Sequence, residues 1–155
     1  EYIISANNGV PQIASALNNI AKAYGKKVLF NEKEYYLFPS YEDLKDVSIT
    51  DFRNCKVGFR DKYIKAMVDK LNNNEFDLNI FYELDTKEAL DKLMENIGIG
   101  PKVASCILLF AYQKYDVFPI DTWVKKIMDK DYGIKGENNI RDFAKKTYGK
   151  YSGIC

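Results

Sequence analysis

Between Leu90 and Ile97 the apolar residues fall at i, i+3, i+4 and i+7: Leu90, Leu93, Met94 and Ile97. That spacing lays one apolar stripe along a helix. Asp85 and Glu88 stand just ahead of it in a D-x-x-E arrangement, which predicts a capping box at its start. The same period recurs along the chain. Pro11 suits the first turn of a helix burying Ile13, Leu17, Ile20 and Tyr24, with Gly25 as its stop. Ser40 reads as the cap of a short helix carrying Leu44. Thr50 reads as the cap of another carrying Phe52, ended by Gly58. Tyr63, Ile64, Met67, Val68 and Leu71 mark the apolar side of a helix over 61–71, and the run NNNE at 72–75 reads as a turn. Pro101 opens a helix with Val103, Cys106, Ile107 and Phe110 inward, and two more helices are predicted over 122–129 and 138–148. Strand-like alternation is brief, at 27–30 and 2–4, and 31–40 reads as an aromatic, irregular loop. There is no internal repeat, low-complexity tract or linker. The predicted class is all-α, as one compact domain or two small lobes around one cleft.

Composition narrows the chemistry. The chain has no histidine, so a Ser-His triad or a histidine metal site is excluded. A general base would have to be a carboxylate, lysine, tyrosine or cysteine. Cys55, Cys106 and Cys155 form no CxxC pair and give neither zinc nor iron–sulfur spacing. An odd cysteine count with no signal peptide points to a reducing, intracellular compartment. No apolar run approaches the roughly 20 residues of a membrane span. The net charge of +1 argues neither for nor against nucleic acid, so any basic surface must be local. The chain lacks an initiator Met and stops at Cys155, and it reads as a piece of something longer.

The segment ENIGIGPKVASCI at 95–107 carries the functional signal. Helix, GIG, helix is a compact hairpin over 86–113 whose glycines permit positive φ and a close backbone approach. Its amides and the N-terminus of the second helix converge on one spot suited to an anion, and a DNA phosphate is a natural occupant. A plain αα-turn is the bland alternative. Lys102 is the anomaly. A helix start carries partial positive charge and favours Asp, Glu or Ser, so a lysine there is stabilised less than its rivals would be. The same field favours its uncharged form, which is a nucleophile suited to Schiff-base chemistry. Simple pairing of Lys102 with a phosphate stays open.

GIGPKVASCI followed by DVFPID resembles the helix-hairpin-helix-GPD superfamily of DNA repair glycosylases, named for the hairpin and a Gly/Pro-rich loop ending in Asp. Here that loop is 114–121, and nineteen positions separate Lys102 from Asp121. Within the superfamily the chain is most similar to the 8-oxoguanine DNA glycosylase/AP lyases. SANNGVPQI, YYLFPSYEDL, GFRDKYI and FAKKTYGKYSG resemble four of their segments in order, so the likeness spans nearly the whole chain as a catalytic region over 1–155. The resemblance implies lysine attack at C1′ by Lys102, release of the damaged base, a Schiff base and β-elimination. It implies that Asp121 steadies the sugar cation and assists Lys102; a helix N-cap before Thr122 is the structural alternative, and both can hold. Cys106, one turn after Lys102, resembles the residue that packs on the flipped base, or is a small core side chain. Asn7 resembles the residue that contacts the base opposite the lesion. Phe59 and Arg60 resemble a pair that wedges into the stack and reads the orphan partner, with core packing the alternative for Phe59. Gly98, Gly100 and Lys102 would meet the phosphate backbone.

The chain departs from the family at Gln12, where animal members carry an arginine that reads the opposite cytosine, and at Trp123, where a phosphate-contacting histidine is expected. The N-terminal β-rich domain and the end of the last helix are expected to be missing. No organic cofactor is implied, since the lysine supplies the chemistry; a cation on the hairpin carbonyls of Asn96 and Ile99 is an expectation. The implied partner is damaged double-stranded DNA, bound by a monomer. The alternatives are a hairpin glycosylase of other base specificity and a non-catalytic DNA-binding module.

Overall fold

Pro11 sits in the first turn of α1 (Val10–Tyr24), as its fixed φ predicts. Ile20 is buried, and Ile13, Leu17 and Tyr24 pack on the same core from partly exposed positions. Gly25 ends the helix for a different reason from the expected left-handed cap. Its φ is −84°, but a Cβ there would lie 1.9 Å from the Leu37 carbonyl oxygen, so the returning chain needs the space. That return is a hairpin. β1 (Lys27–Phe30) falls where alternation placed it and pairs antiparallel with β2 (Lys33–Tyr36) in the register Lys27↔Tyr36 to Phe30↔Lys33. The two turn residues, Asn31 and Glu32, both have positive φ, the geometry that matches strand twist. β2 replaces the predicted irregular loop. Every residue of β2 is exposed, so burial imposes no alternation on its sequence.

Three further expectations are corrected. Tyr2–Ser5 is a 3-10 helix, not a strand. Ser40 and Asp43 form reciprocal cap-like hydrogen bonds at 2.9 and 3.3 Å, but they close a run of turns over 41–46 and no helix follows. The cap of α2 (Ile49–Asn54) is Ser48 rather than Thr50, with Asp51 completing a capping box. Phe52 is fully buried on that helix. α3 (Asp61–Asn72) matches prediction, with Val68 fully inward.

The structure is a computed structural model describing all 155 residues. It divides into two compact units. The first is Glu1–Leu78 with Asn96–Gly98, and the second is Asn79–Glu95 with Ile99–Cys155. The first unit closes over Ile4, Ala16, Ile20, Leu44, Val47, Phe52, Val57 and Val68. The second begins with the short α4 (Ile80–Glu83), which carries buried Phe81, and continues with α5 (Thr86–Met94) packed along α6 (Pro101–Tyr112). In α5 the Asp85 half of the capping box forms, with the Glu88 amide donating at 2.9 Å. Leu93 is buried with Ala89, but Ile97 lies past the helix end and is exposed. Phe110 is also exposed; Leu108 and Leu109 fill the core side of α6 instead. α7 (Thr122–Tyr132) and α8 (Glu137–Tyr148) clasp a small core of Ile120, Met128 and Ile140. No helix is long and apolar enough to cross a membrane.

One buried charge in the first unit has a pH consequence. Asp61 is almost wholly inaccessible. Burial pushes its pKa up, but the Lys62 amide and the Arg53 guanidinium, each at 2.7 Å, outweigh burial and hold the carboxyl below its usual range. A depressed folded pKa adds stability at pH values above the unfolded carboxylate value, about 3.9, and loses it as pH falls through the folded value. Asp61→Asn should therefore flatten the acid limb of a stability–pH curve below about pH 4. Chemical unfolding between pH 2 and 7 checks this; an unchanged limb would refute it.

Candidate active site

In the turn after α5, Asn96–Gly98 belong to the first unit, and Glu95 and Ile99 on either side belong to the second. Asn96 is buried and its Oδ1 accepts a hydrogen bond from Lys70 Nζ at 2.9 Å. Gly98 has φ +84°, and a Cβ there would meet the Tyr63 ring at 2.6 Å. Only glycine satisfies both demands. Gly100 differs. It is the N-cap of α6 in extended conformation, and nothing lies within 4 Å of where its Cβ would be. The fold does not require glycine at 100; open space there leaves room for a ligand to approach the backbone.

These two glycines give a paired prediction. Gly98→Ala should cost about 1–3 kcal/mol through positive φ and the Tyr63 overlap. Gly100→Ser should cost nothing, because serine is a strong N-cap. On the expectation that this turn meets a DNA backbone, both should weaken duplex binding. Urea unfolding beside duplex titration tests the pair, and full affinity in Gly100→Ser would remove the close-approach reading.

Lys102 lies in the first turn of α6, after Pro101, which has no N–H. Gly100 offers no side-chain acceptor, so the first amides of the helix are uncapped by any side chain. Lys102 is half-buried and makes no hydrogen bond or ion pair with the protein, Asp121 included. Cys106 is buried one turn further along and is a free thiol.

Asp121 is the N-cap of α7. Its Oδ1 accepts from the Trp123 amide at 2.9 Å and the Val124 amide at 2.8 Å. The capping role is therefore filled by one oxygen, and Oδ2 accepts no hydrogen bond from the protein. The loop leading to Asp121 is tied down in the second unit. Lys114 Nζ donates to the Leu84 carbonyl at 2.6 Å, Thr86 Oγ1 to Asp116 at 2.7 Å, and Ser152 Oγ to the Asp116 carbonyl at 3.1 Å. Val117 and Ile120 anchor it in the core. Sequence reading missed these ties, because none has a local signature. Trp123 is 68% exposed with Lys126 Nζ 4.9 Å from its ring centroid, so it is not a core residue.

Asn7, Phe59 and Arg60 come together in the first unit. Arg60 is buried with no carboxylate within ion-pair distance, and burial lowers its pKa. Its Nε donates to the Ala6 carbonyl at 2.7 Å, Nη1 to the Val57 carbonyl at 3.1 Å and Nη2 to the Asn7 carbonyl at 2.6 Å. Its guanidinium also lies 4.3 Å from the Phe59 ring centroid. Phe59 is 52% exposed, which removes core packing as its explanation. Asn7 is exposed with φ +48°, and its side-chain amide makes no hydrogen bond to the protein.

A helical hairpin, a lysine at the uncapped start of its second helix and a loop-borne aspartate at the next helix start make up the candidate site. Residues 1–150 match the model of the HhH-GPD superfamily of base excision DNA repair proteins, and the chain belongs to that family. It is similar to a probable N-glycosylase/DNA lyase of Methanothermobacter thermautotrophicus, at 31% identity over 96% of this chain and 54% of the relative. It is also similar to the crystal structure of the Clostridium acetobutylicum 8-oxoguanine glycosylase/lyase, at 43% identity and TM-score 0.92 over 99% of this chain and 54% of that one. The same Clostridium enzyme in complex with double-stranded DNA containing cytosine opposite 8-oxoguanine superposes with TM-score 0.93 at 42% identity. The chain thus spans about half the length of these relatives.

Proposed function

We propose that this chain is the catalytic region of a bifunctional DNA glycosylase/AP lyase that removes 8-oxoguanine from duplex DNA. The observation that carries the reading is the division of labour around Lys102 and Asp121. Lys102 is a half-buried amine with no partner in the protein, where helix stability alone favours an acid. Asp121 caps α7 with one oxygen and keeps the other available. The relatives' names concern the same reaction.

In the proposed mechanism Lys102 Nζ, through its lone pair, attacks C1′ of the damaged nucleotide. The N-glycosidic bond breaks and its electron pair leaves with the base, which takes up the proton that Nζ loses as the new C1′–N bond forms. The Asp121 carboxylate stabilises the positive charge that develops on the sugar. Ring opening of the aminal gives a protonated Schiff base between Nζ and C1′. That cation acidifies C2′; loss of a C2′ proton expels the 3′ phosphate, and water then hydrolyses the imine to free the lysine. Cys106 lines the base pocket. Asn7 meets the opposite base, and Phe59 wedges into the stack, which offsets part of the unstacking cost of about a few kcal/mol. The amides before Val103 and the open backbone at Gly100 take a phosphate. No organic cofactor enters this scheme.

The test is borohydride reduction of the chain mixed with a duplex carrying either an abasic site or 8-oxoguanine. The expected result is a covalent protein–DNA adduct on the abasic duplex. Duplex binding without any adduct would leave a binding module instead.

A further inference from the structure

The loop between α6 and Asp121 is clasped by backbone from the last residues of the second unit. Gly153, in the 3-10 helix Gly149–Ile154, donates its amide to the Tyr115 carbonyl at 2.7 Å. Ser152 is 2% exposed, and its Oγ donates to the Asp116 carbonyl at 3.1 Å. A Cβ at 153 would lie 2.4 Å from the Val117 carbonyl oxygen and 3.0 Å from that of Tyr115. Three consecutive carbonyls, 115 to 117, are thus met by two adjacent residues. The φ of Gly153 lies outside the left-handed region, so space is what calls for glycine there. Backbone against backbone leaves no rotamer to adjust, and the two segments keep one spacing.

The clasp also rests on the face of α6 that carries Lys102. The same Cβ at 153 would lie 2.8 Å from Leu109 Cδ1. Lys102, Cys106 and Leu109 are spaced i, i+4 and i+7, which puts them on one side of the helix. Beyond the clasp, Val117 and Ile120 are both buried, and Pro119 between them has its φ fixed by its ring. Asp121 follows Ile120 directly. The path from the clasp to Asp121 is short and anchored at both ends.

We propose that Ser152 and Gly153 are positioning residues for the reaction at Lys102: they set the loop that ends in Asp121 on the Lys102 side of α6, and they act on the rate through the Asp121 carboxylate. The inference deepens the glycosylase reading and rests on it. A misplacement of about 1 Å at a reacting group costs on the order of a hundred-fold in rate, so a tight clasp remote from the chemistry has leverage on it.

The experiment traps the full-length protein with borohydride on an excess of abasic duplex, at a temperature where thermal unfolding shows each variant folded. The amplitude counts competent protein, and the rate constant at saturating duplex reads the chemistry. A merely structural role moves only the amplitude. Wild type, Ser152→Ala and Gly153→Ala are compared, each alone and combined with Asp121→Asn. Ser152→Ala removes one hydrogen bond and adds no bulk, so it carries the test if Gly153→Ala does not fold. The rate constant should fall about five-fold in Ser152→Ala and about thirty-fold in Gly153→Ala, with duplex affinity unchanged within about two-fold. In the Asp121→Asn background the same substitutions should change it less than about two-fold, because the carboxylate they place is already gone. An equal fall in both backgrounds would mean that the clasp acts on α6 instead of Asp121. A loss of amplitude at constant rate would mean that it only holds the fold. Either result, or an unchanged rate constant in the single variants, would overturn the proposal while the glycosylase reading stands. Absence of any adduct with the wild type would overturn both.

Discussion

Lys102→Gln should leave no borohydride-trapped adduct on an abasic duplex, while the protein becomes no less stable. Glutamine approximates the lysine stem and keeps polar contact with a phosphate but cannot form an imine. Trapping should drop by more than about a thousand-fold, as expected when a nucleophile is removed rather than weakened. Stability should move the other way. Lys102 makes no hydrogen bond or ion pair, and its charge opposes the dipole of α6. Removing that charge should stabilise the helix by up to about 0.5 kcal/mol. Loss of activity with unchanged or higher stability is the signature of a residue kept for chemistry. Gel analysis after borohydride, beside urea unfolding of both proteins, reads the two quantities. An adduct that persists in Lys102→Gln would assign the Schiff base to another amine and dissolve the proposed site.

Asp121 separates into two functions by substitution. Its Oδ1 holds the amides of Trp123 and Val124, so Asp121→Ala removes a cap and should cost about 1 kcal/mol. Asp121→Asn keeps an acceptor at the same place, and asparagine is among the best N-caps. It loses only the negative charge at the helix start, about 0.3–1 kcal/mol. The rate of adduct formation should fall by about a hundred-fold or more in both variants, because both remove the carboxylate that the proposed mechanism sets against the developing cation. Two variants with different stabilities and similar loss of rate identify the charge, not the cap, as the catalytic element. Single-turnover trapping gives the rate and thermal unfolding the stability. If Asp121→Asn traps as fast as the wild type, Asp121 is a cap alone.

Much of the helical layout is readable because helix signals are local. The i, i+3, i+4 stripe of α5, Asp85 at its start, and Pro11 and Pro101 in first turns each act within a few residues, and each appears where its spacing places it. Local signals mislead where the deciding contact is remote. Ser40 and Asp43 form the hydrogen bonds of a cap, yet no helix follows, since a cap satisfies a helix end but does not drive propagation. Phe110 has the period of a core residue, but the inward side of α6 is taken by Leu108 and Leu109. β2 escapes notice because all four of its residues are exposed.

The candidate site divides along the same line. That a lysine opens the second helix of a glycine hairpin and that an aspartate precedes the next helix start are matters of residue type and spacing, and both are legible in the chain. Packing settles that Asp121 splits its two oxygens, that Lys70 and Tyr63 meet Asn96 and Gly98, and that Arg60 is engaged by the carbonyls of Ala6, Asn7 and Val57. Backbone carbonyls are the same at every residue. A side chain 53 or 54 positions away, as Arg60 is from Asn7 and Ala6, leaves no mark on the sequence around its partner.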